Sequence, residues 1–149
     1  MSCDLGTGQY FISSTVDGRP LNICRDPPGP REPVVVDRTP IAFIVVEQKV
    51  DTPNCTYHIS VRGFDVRRYL RNVDGVLTAS DDRMAPQEWV ISPYSPGLYT
   101  IVEDSYPPNQ AWTDSKGEEP GCNRPVLITT MPMIPRVDPK FVFRFQPVE

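Results

Sequence analysis

Few side chains in this sequence could do chemistry, and their spacing argues against a catalyst. His58 is the one histidine. It stands between Tyr57 and Ile59 in a strand-like run, so it faces away from both. A Ser-His-Asp or Cys-His catalyst needs the imidazole held against a nucleophile, and nothing in the sequence marks one. The carboxylate pairs Asp81-Asp82, Glu103-Asp104 and Glu118-Glu119 fall in polar stretches. Adjacent side chains in a strand or loop point apart, so these read as solvated charges rather than acid/base pairs. No cysteine–histidine cluster has zinc spacing, and no Gly-x-x-x-x-Gly-Lys phosphate loop occurs. The sequence reads as a binding protein and not an enzyme, with no cofactor and no metal.

The elements that would position a binding surface are strands. The phrase Tyr-x-Ile recurs three times, at Tyr10-Phe11-Ile12, Tyr57-His58-Ile59 and Tyr99-Thr100-Ile101, at intervals in the forties. Tyr and Ile two apart share one face of a strand, and both suit a pleated, half-buried surface. A second phrase of large apolar residues closes each unit: Phe43-Ile44-Val45-Val46, Trp89-Val90-Ile91 and Phe141-Val142-Phe143-Arg144-Phe145. Self-similarity at such a period signals repeated units. Turn signals at Asp17-Gly18 and Asp74-Gly75 mark hairpins.

Residues 9–14, 20–24, 33–36 and 41–48 read as the first four strands, with a polar turn over 49–54. The second unit runs through 57–61, turns at Arg62-Gly63, and continues through 66–70, 76–78 and 88–92, with a loop over 80–87. The third has strands at 98–103, 125–133 and 141–146, separated by long loops over 105–122 and 134–140. With 18 prolines and no apolar helical period free of Pro or Gly, helix is excluded. The expectation is an all-β single domain over residues 1–149, a β-trefoil of about twelve strands in three pseudo-repeats, with a β-sandwich as the alternative.

A net charge of −4 gives no footprint for nucleic acid or an anionic membrane. No stretch approaches a membrane span. The start, Met1-Ser2-Cys3-Asp4-Leu5-Gly6, lacks a basic n-region and apolar h-region, so a cytoplasmic monomer is expected. In that compartment Cys3, Cys24, Cys55 and Cys122 would be mostly free thiols, and the sequon Asn54-Cys55-Thr56 a coincidence.

Several of these stretches together resemble a known family. Gly8-Gln9-Tyr10-Phe11-Ile12, Trp89-Val90-Ile91 with Gly97-Leu98-Tyr99-Thr100-Ile101, and Met131-Pro132-Met133-Ile134-Pro135 before a final aromatic strand are similar to the mushroom β-trefoil protease inhibitors. These are the fungal serine-protease inhibitors called mycospins and the cysteine-protease inhibitors called mycocypins. The resemblance implies a defence protein that offers one loop to a protease. Clitocypin-like members carry a long Gly-rich segment between their first two strands. Here that connection shrinks to Val16-Asp17-Gly18-Arg19, which favours the serine-protease branch.

Trypsin-like enzymes have an acidic base to their specificity pocket and accept Arg or Lys. Basic residues in proline-stiffened loops suit them at low ordering cost. The resemblance thus implies a trypsin-like serine protease as partner, with two candidate loops. Arg136 ranks first: Pro135 fixes the backbone before it, Val137 is small, and Asp138 keeps its N–H. The loop with Arg25, Asp26, Arg31 and Glu32 ranks second, because each Arg is followed by an acid and then by Pro. Arg124 is set aside because Pro125 follows it directly. The alternatives are a cysteine protease inhibitor and a carbohydrate-binding lectin, although neither Trp89 nor Trp112 lies in the Gln-x-Trp of ricin-type lectins.

Overall fold

The computed structural model describes residues 3–40, 44–48, 55–62, 67–81 and 85–148. The expected segments at 41–43, 49–54, 63–66 and 82–84, including Asn54 of the sequon, lie outside the described residues. Twelve strands are present among the described residues: β1 (Gly8–Ser14), β2 (Leu21–Ile23), β3 (Arg31–Val36), β4 (Ile44–Gln48), β5 (Thr56–Val61), β6 (Arg68–Val73), β7 (Val76–Ser80), β8 (Trp89–Ser95), β9 (Leu98–Glu103), β10 (Gln110–Asp114), β11 (Val126–Thr130) and β12 (Phe143–Pro147). One 3-10 turn, Pro139–Phe141, precedes β12.

The all-β class holds, but the β-trefoil expectation is corrected. The ladders close through nine strands, in the order β11-β10-β9-β12-β1-β4-β5-β6-β7, with β7 pairing back to β11 at Val76↔Leu127. β3 and β2 extend from β7, and β8 is tied to β5 on one side and β9 on the other. The repeated phrases suggested three equivalent units of four strands. Hydrogen bonding instead merges the strands across unit boundaries, because β3 pairs with β7, β7 pairs with β11, and a bridge joins Val35 of β3 to Pro125 beside β11.

The repeated phrase has a physical role in this barrel. Ile12, Ile59 and Ile101 are buried in the core. The partner tyrosines turn their hydroxyls toward one short N-terminal segment. Tyr10 Oη donates to Gly6 O at 2.6 Å, Tyr57 Oη donates to Leu5 O, and Tyr99 Oη donates to the Asp4 carboxylate at 2.8 Å. The Cys3–Cys55 disulfide fixes the same segment. All twelve strands contribute to the apolar core cluster, where Trp89 and Trp112 meet edge to face with ring centroids 5.6 Å apart.

Two expectations fail here. The cysteines form two disulfides, Cys3–Cys55 and Cys24–Cys122, and none is free. Residues far apart in sequence are brought together by barrel closure, which spacing alone did not reveal. The stretch 105–122 is not all loop either, since β10 crosses it and buries Trp112 completely. Five strand residues flanked by Pro, Asn and Gly gave too short a pattern to stand out.

Candidate functional site

Two exposed loops carry the candidate arginines, and a third segment braces both. The first loop joins β2 to β3. At its base Cys24 is bonded to Cys122, and Cys24 N–H donates to Pro33 O at 2.8 Å. Glu32 lies within β3 and is only 1% exposed. Its carboxylate accepts from Arg68 Nη1 at 2.6 Å and from Gly29 N–H at 3.3 Å. Asp81 N–H adds a bond to Pro30 O at 3.1 Å. Arg25 and Asp26 are exposed, and Arg25 Nε lies 3.5 Å from Glu32 Oε1. Arg31 is exposed but opens β3 opposite Ser80, so its backbone belongs to the sheet.

Glu32 therefore departs from its expected place at a protease-facing surface. It is the buried anchor of the loop. A buried carboxylate must be paired and hydrogen-bonded, and this one is, by Arg68 and Gly29.

The second loop runs from Met131 to Asp138. Met133 is 80% exposed and Ile134 55% exposed, and Pro135 and Arg136 are also exposed. Val137 is half-buried. Among the described residues, no hydrogen bond or ion pair engages Arg136 or Val137. The loop is held at its ends. Met131 N–H donates to Asn109 O at 2.8 Å at its start, and inside the loop Ile134 N–H donates to Pro132 O at 3.1 Å. Asp138 caps the 3-10 turn by accepting from Lys140 N–H at 3.0 Å. That bond, with Lys116 nearby, holds the Asp138 carboxyl below its usual range. Under the loop lies a cleft of about 580 Å³, walled by Leu127, Met131, Pro132, Ile134, Val137 and Phe141.

The bracing segment lies between β10 and β11. Arg124, 4% exposed, forks onto Asp114 with Nε–Oδ1 3.0 Å and Nη2–Oδ2 2.7 Å, and reaches Asp17 with Nη1 at 2.7 Å. Ser14 Oγ donates to the same Asp114 carboxylate. Burial alone would push Asp114 up, but the Arg124 and Ser14 hydrogen bonds hold it below the usual range. The Arg124 hydrogen bond lowers Asp17 as well. Arg124 is thus unavailable to a protease because it is buried, a stronger reason than the proline after it. Gly117 packs so closely on the chain that a Cβ there would come 2.3 Å from Asn123 O. From this segment Cys122 reaches the first loop, and Lys116 Nζ reaches Asp138 of the second at 3.7 Å.

Sequence reasoning missed Tyr94. Along β8 and β9, Pro93 pairs with Tyr99 and Ser95 with Leu98, so Tyr94 is an extra residue at a bulge. Bulges re-aim side chains, and Tyr94 is 44% exposed beside Val137. An aromatic residue between two prolines in a turn was the available signal.

His58 lies 3.9 Å from Glu88 and edge to face with Tyr69. Among the described residues, no group of three or more His, Cys, Asp or Glu could hold a metal ion.

No protein-family model matches the chain, and no curated protein matches it. A solved structure described as a proteinase inhibitor from Coprinopsis cinerea superposes with a TM-score of 0.76 at 19% identity, covering 97% of this chain and 100% of that one. At that identity the likeness is one of fold: the chain has the fold of a fungal proteinase inhibitor.

Proposed function

We propose that this chain inhibits trypsin-like serine proteases in the manner of the mycospins, without catalysing a reaction itself. It offers the Met131–Asp138 loop, and Arg136 enters the specificity pocket. The observation that carries this reading is the setting of Arg136. It is exposed and unengaged among the described residues, and the residues before it are exposed and apolar. Clustered exposed apolar side chains mark protein interaction sites, and a single cation among them suits a pocket with an acidic base. The unpaired backbone at Arg136 and Val137 can add to a protease strand by main-chain hydrogen bonds. Pro132, Pro135 and Pro139 limit the entropy lost on binding. One monomer would hold one protease at this loop.

The first loop supports a second reading, favoured by its bracing. A disulfide, a buried carboxylate and its half-buried arginine partner fix its base, which is what a preorganised inhibitor loop needs. Arg25 could leave Glu32 at little cost, because Arg68 keeps that carboxylate paired. Its weakness is the chemistry after Arg25, where Asp26 and Pro27 replace a small residue and a free N–H.

The test is the trypsin inhibition constant. Arg136→Ala should weaken inhibition about thirtyfold or more, the loss typical of a charged hot spot. Arg25→Ala with Arg31→Ala should change it little, and the opposite pattern contradicts the assignment. A cytoplasmic residence would in addition require both disulfides to survive a reducing pool. Thiol counting on protein taken directly from cells addresses that.

A further inference from the structure

Among the described residues there are five exposed large hydrophobics: Val16, Tyr94, Tyr106, Met133 and Ile134. Three of them, Tyr94, Met133 and Ile134, converge on one loop. Met133 and Ile134 precede Arg136 on its own loop. Tyr94 comes from the β8–β9 hairpin, yet it shares a depression of about 220 Å³ with Val137, Leu98, Pro139, Val142 and Thr15. Val16 follows Thr15, whose hydroxyl lies 2.9 Å from Pro139 O. Val16 and Tyr106 line neither this depression nor the cleft beneath the loop. A monomer scatters single exposed apolar residues, and their gathering around one loop has a meaning.

We propose that Tyr94 is a second protease-contacting anchor, on the side of the Arg136–Val137 bond opposite Met133 and Ile134. This inference rests on the reading of Arg136 as the specificity residue. The geometry suits a serine protease as occupant. Met133 and Ile134 lie before the cation and Tyr94 lies beside the residue after it, so apolar contacts flank the charged group on both sides. Interface hot spots are enriched in tyrosine and are encircled by apolar contacts that exclude water. Tyr94 presents a rigid ring at a bulge, and among the described residues its hydroxyl is bonded to nothing, so it is free to donate or accept across an interface. The Pro93↔Tyr99 and Ser95↔Leu98 pairs hold the backbone on either side of it, so little backbone entropy is lost when it is covered.

The experiment measures trypsin inhibition constants for the full chain and for Tyr94→Ala, Tyr94→Phe and Arg136→Ala, with a thermal melt of each. Tyr94→Ala should weaken inhibition about tenfold, mostly through faster dissociation, with an unchanged melting midpoint. Tyr94→Phe should stay within about threefold, because the ring carries most of the contact. If Arg136→Ala weakens inhibition and Tyr94→Ala stays within about twofold, the Tyr94 anchor is wrong while the Arg136 reading stands. If Arg136→Ala leaves inhibition intact, the reading falls and this inference falls with it. Sedimentation of the uncomplexed protein decides the remaining occupant. A dimer that Tyr94→Ala dissolves would mean that a second copy covers the patch, which overturns the proposal.

Discussion

The two arginine loops solve the problem of presenting a cation in opposite ways. The β2–β3 loop is rigid because its base is locked by Cys24–Cys122 and by Glu32, with Arg68 and Gly29 bonded to its carboxylate. That same framework draws Arg25 to 3.5 Å from Glu32 and puts Arg31 into a strand. The Met131–Asp138 loop is held at its ends and by one internal bond from Ile134 N–H to Pro132 O, relies on prolines for stiffness, and leaves Arg136 and Val137 open. Bracing limits the entropy lost on binding, whereas openness supplies the groups that bind. The difference teaches that a stiff loop is not thereby a docking loop, since the contacts that stiffen it also occupy its charges.

Both loops depend on the segment that Arg124 holds. Replacing Arg124 with Met would leave Asp114 buried and uncompensated. The expected loss is about 3–5 kcal/mol of folding stability by denaturant titration, with both loops loosened together. A loss under about 1 kcal/mol would show that the loops are braced independently.

Breaking the disulfide separates the loops. Cys24→Ser with Cys122→Ser opens a link spanning 98 residues and should cost about 2–4 kcal/mol. Measured where the variant is folded, its trypsin inhibition should stay within about threefold of the parent. A tenfold loss would transfer the function to the β2–β3 loop.

Acid weakens the shared brace. The Asp17 and Asp114 carboxyls are held below the ordinary value of 3.8. Their contribution is present above that value and is lost as pH falls through their lowered folded pKa values. Melting midpoints should therefore drop below about pH 4, and less so in Asp114→Asn, whose midpoint is already reduced. At the other extreme Tyr57 and Tyr99 are pushed up to about 12, mainly by burial. They stabilise the fold below the ordinary tyrosine value of 10.0 and lose that contribution as pH rises toward 12. Burial raises Tyr10 as well, so ultraviolet titration of phenolate should show these three tyrosines ionising later than the rest.

The smallest effect belongs to Lys116. Its pair with Asp138 is exposed on both sides, and such pairs contribute little. Lys116→Ala should leave inhibition within about threefold. A larger change would mean that this contact, and not the prolines, positions the Arg136 loop.

The sequence made strands legible where pattern and turn chemistry agreed. Gly18 and Gly75 have positive φ at the two predicted hairpin turns, and residues 98–103 match β9. The Tyr-x-Ile phrase identified three core isoleucines. It could not show that its tyrosines meet at Asp4–Gly6, because that is a property of closure. For the same reason it misjudged how the strands join and left the cysteines unpaired. In the site, exposure of Arg136 followed from composition, but burial of Glu32 did not. A charged residue between prolines reads as loop unless its buried partner, Arg68 from β6, is known. Tyr94 escaped because a bulge depends on the pairing of both strands.

The most direct test of the Arg136 loop uses catalytic amounts of trypsin at mildly acidic pH and asks which bond is nicked, by mass spectrometry after denaturation without reduction. A reactive loop is cut at its own specificity residue. The account predicts cleavage after Arg136, which releases the peptide 137–149 because no cysteine tethers it. Cleavage after Arg25, with both pieces still joined through the disulfides and the Arg136–Val137 bond intact, would contradict it.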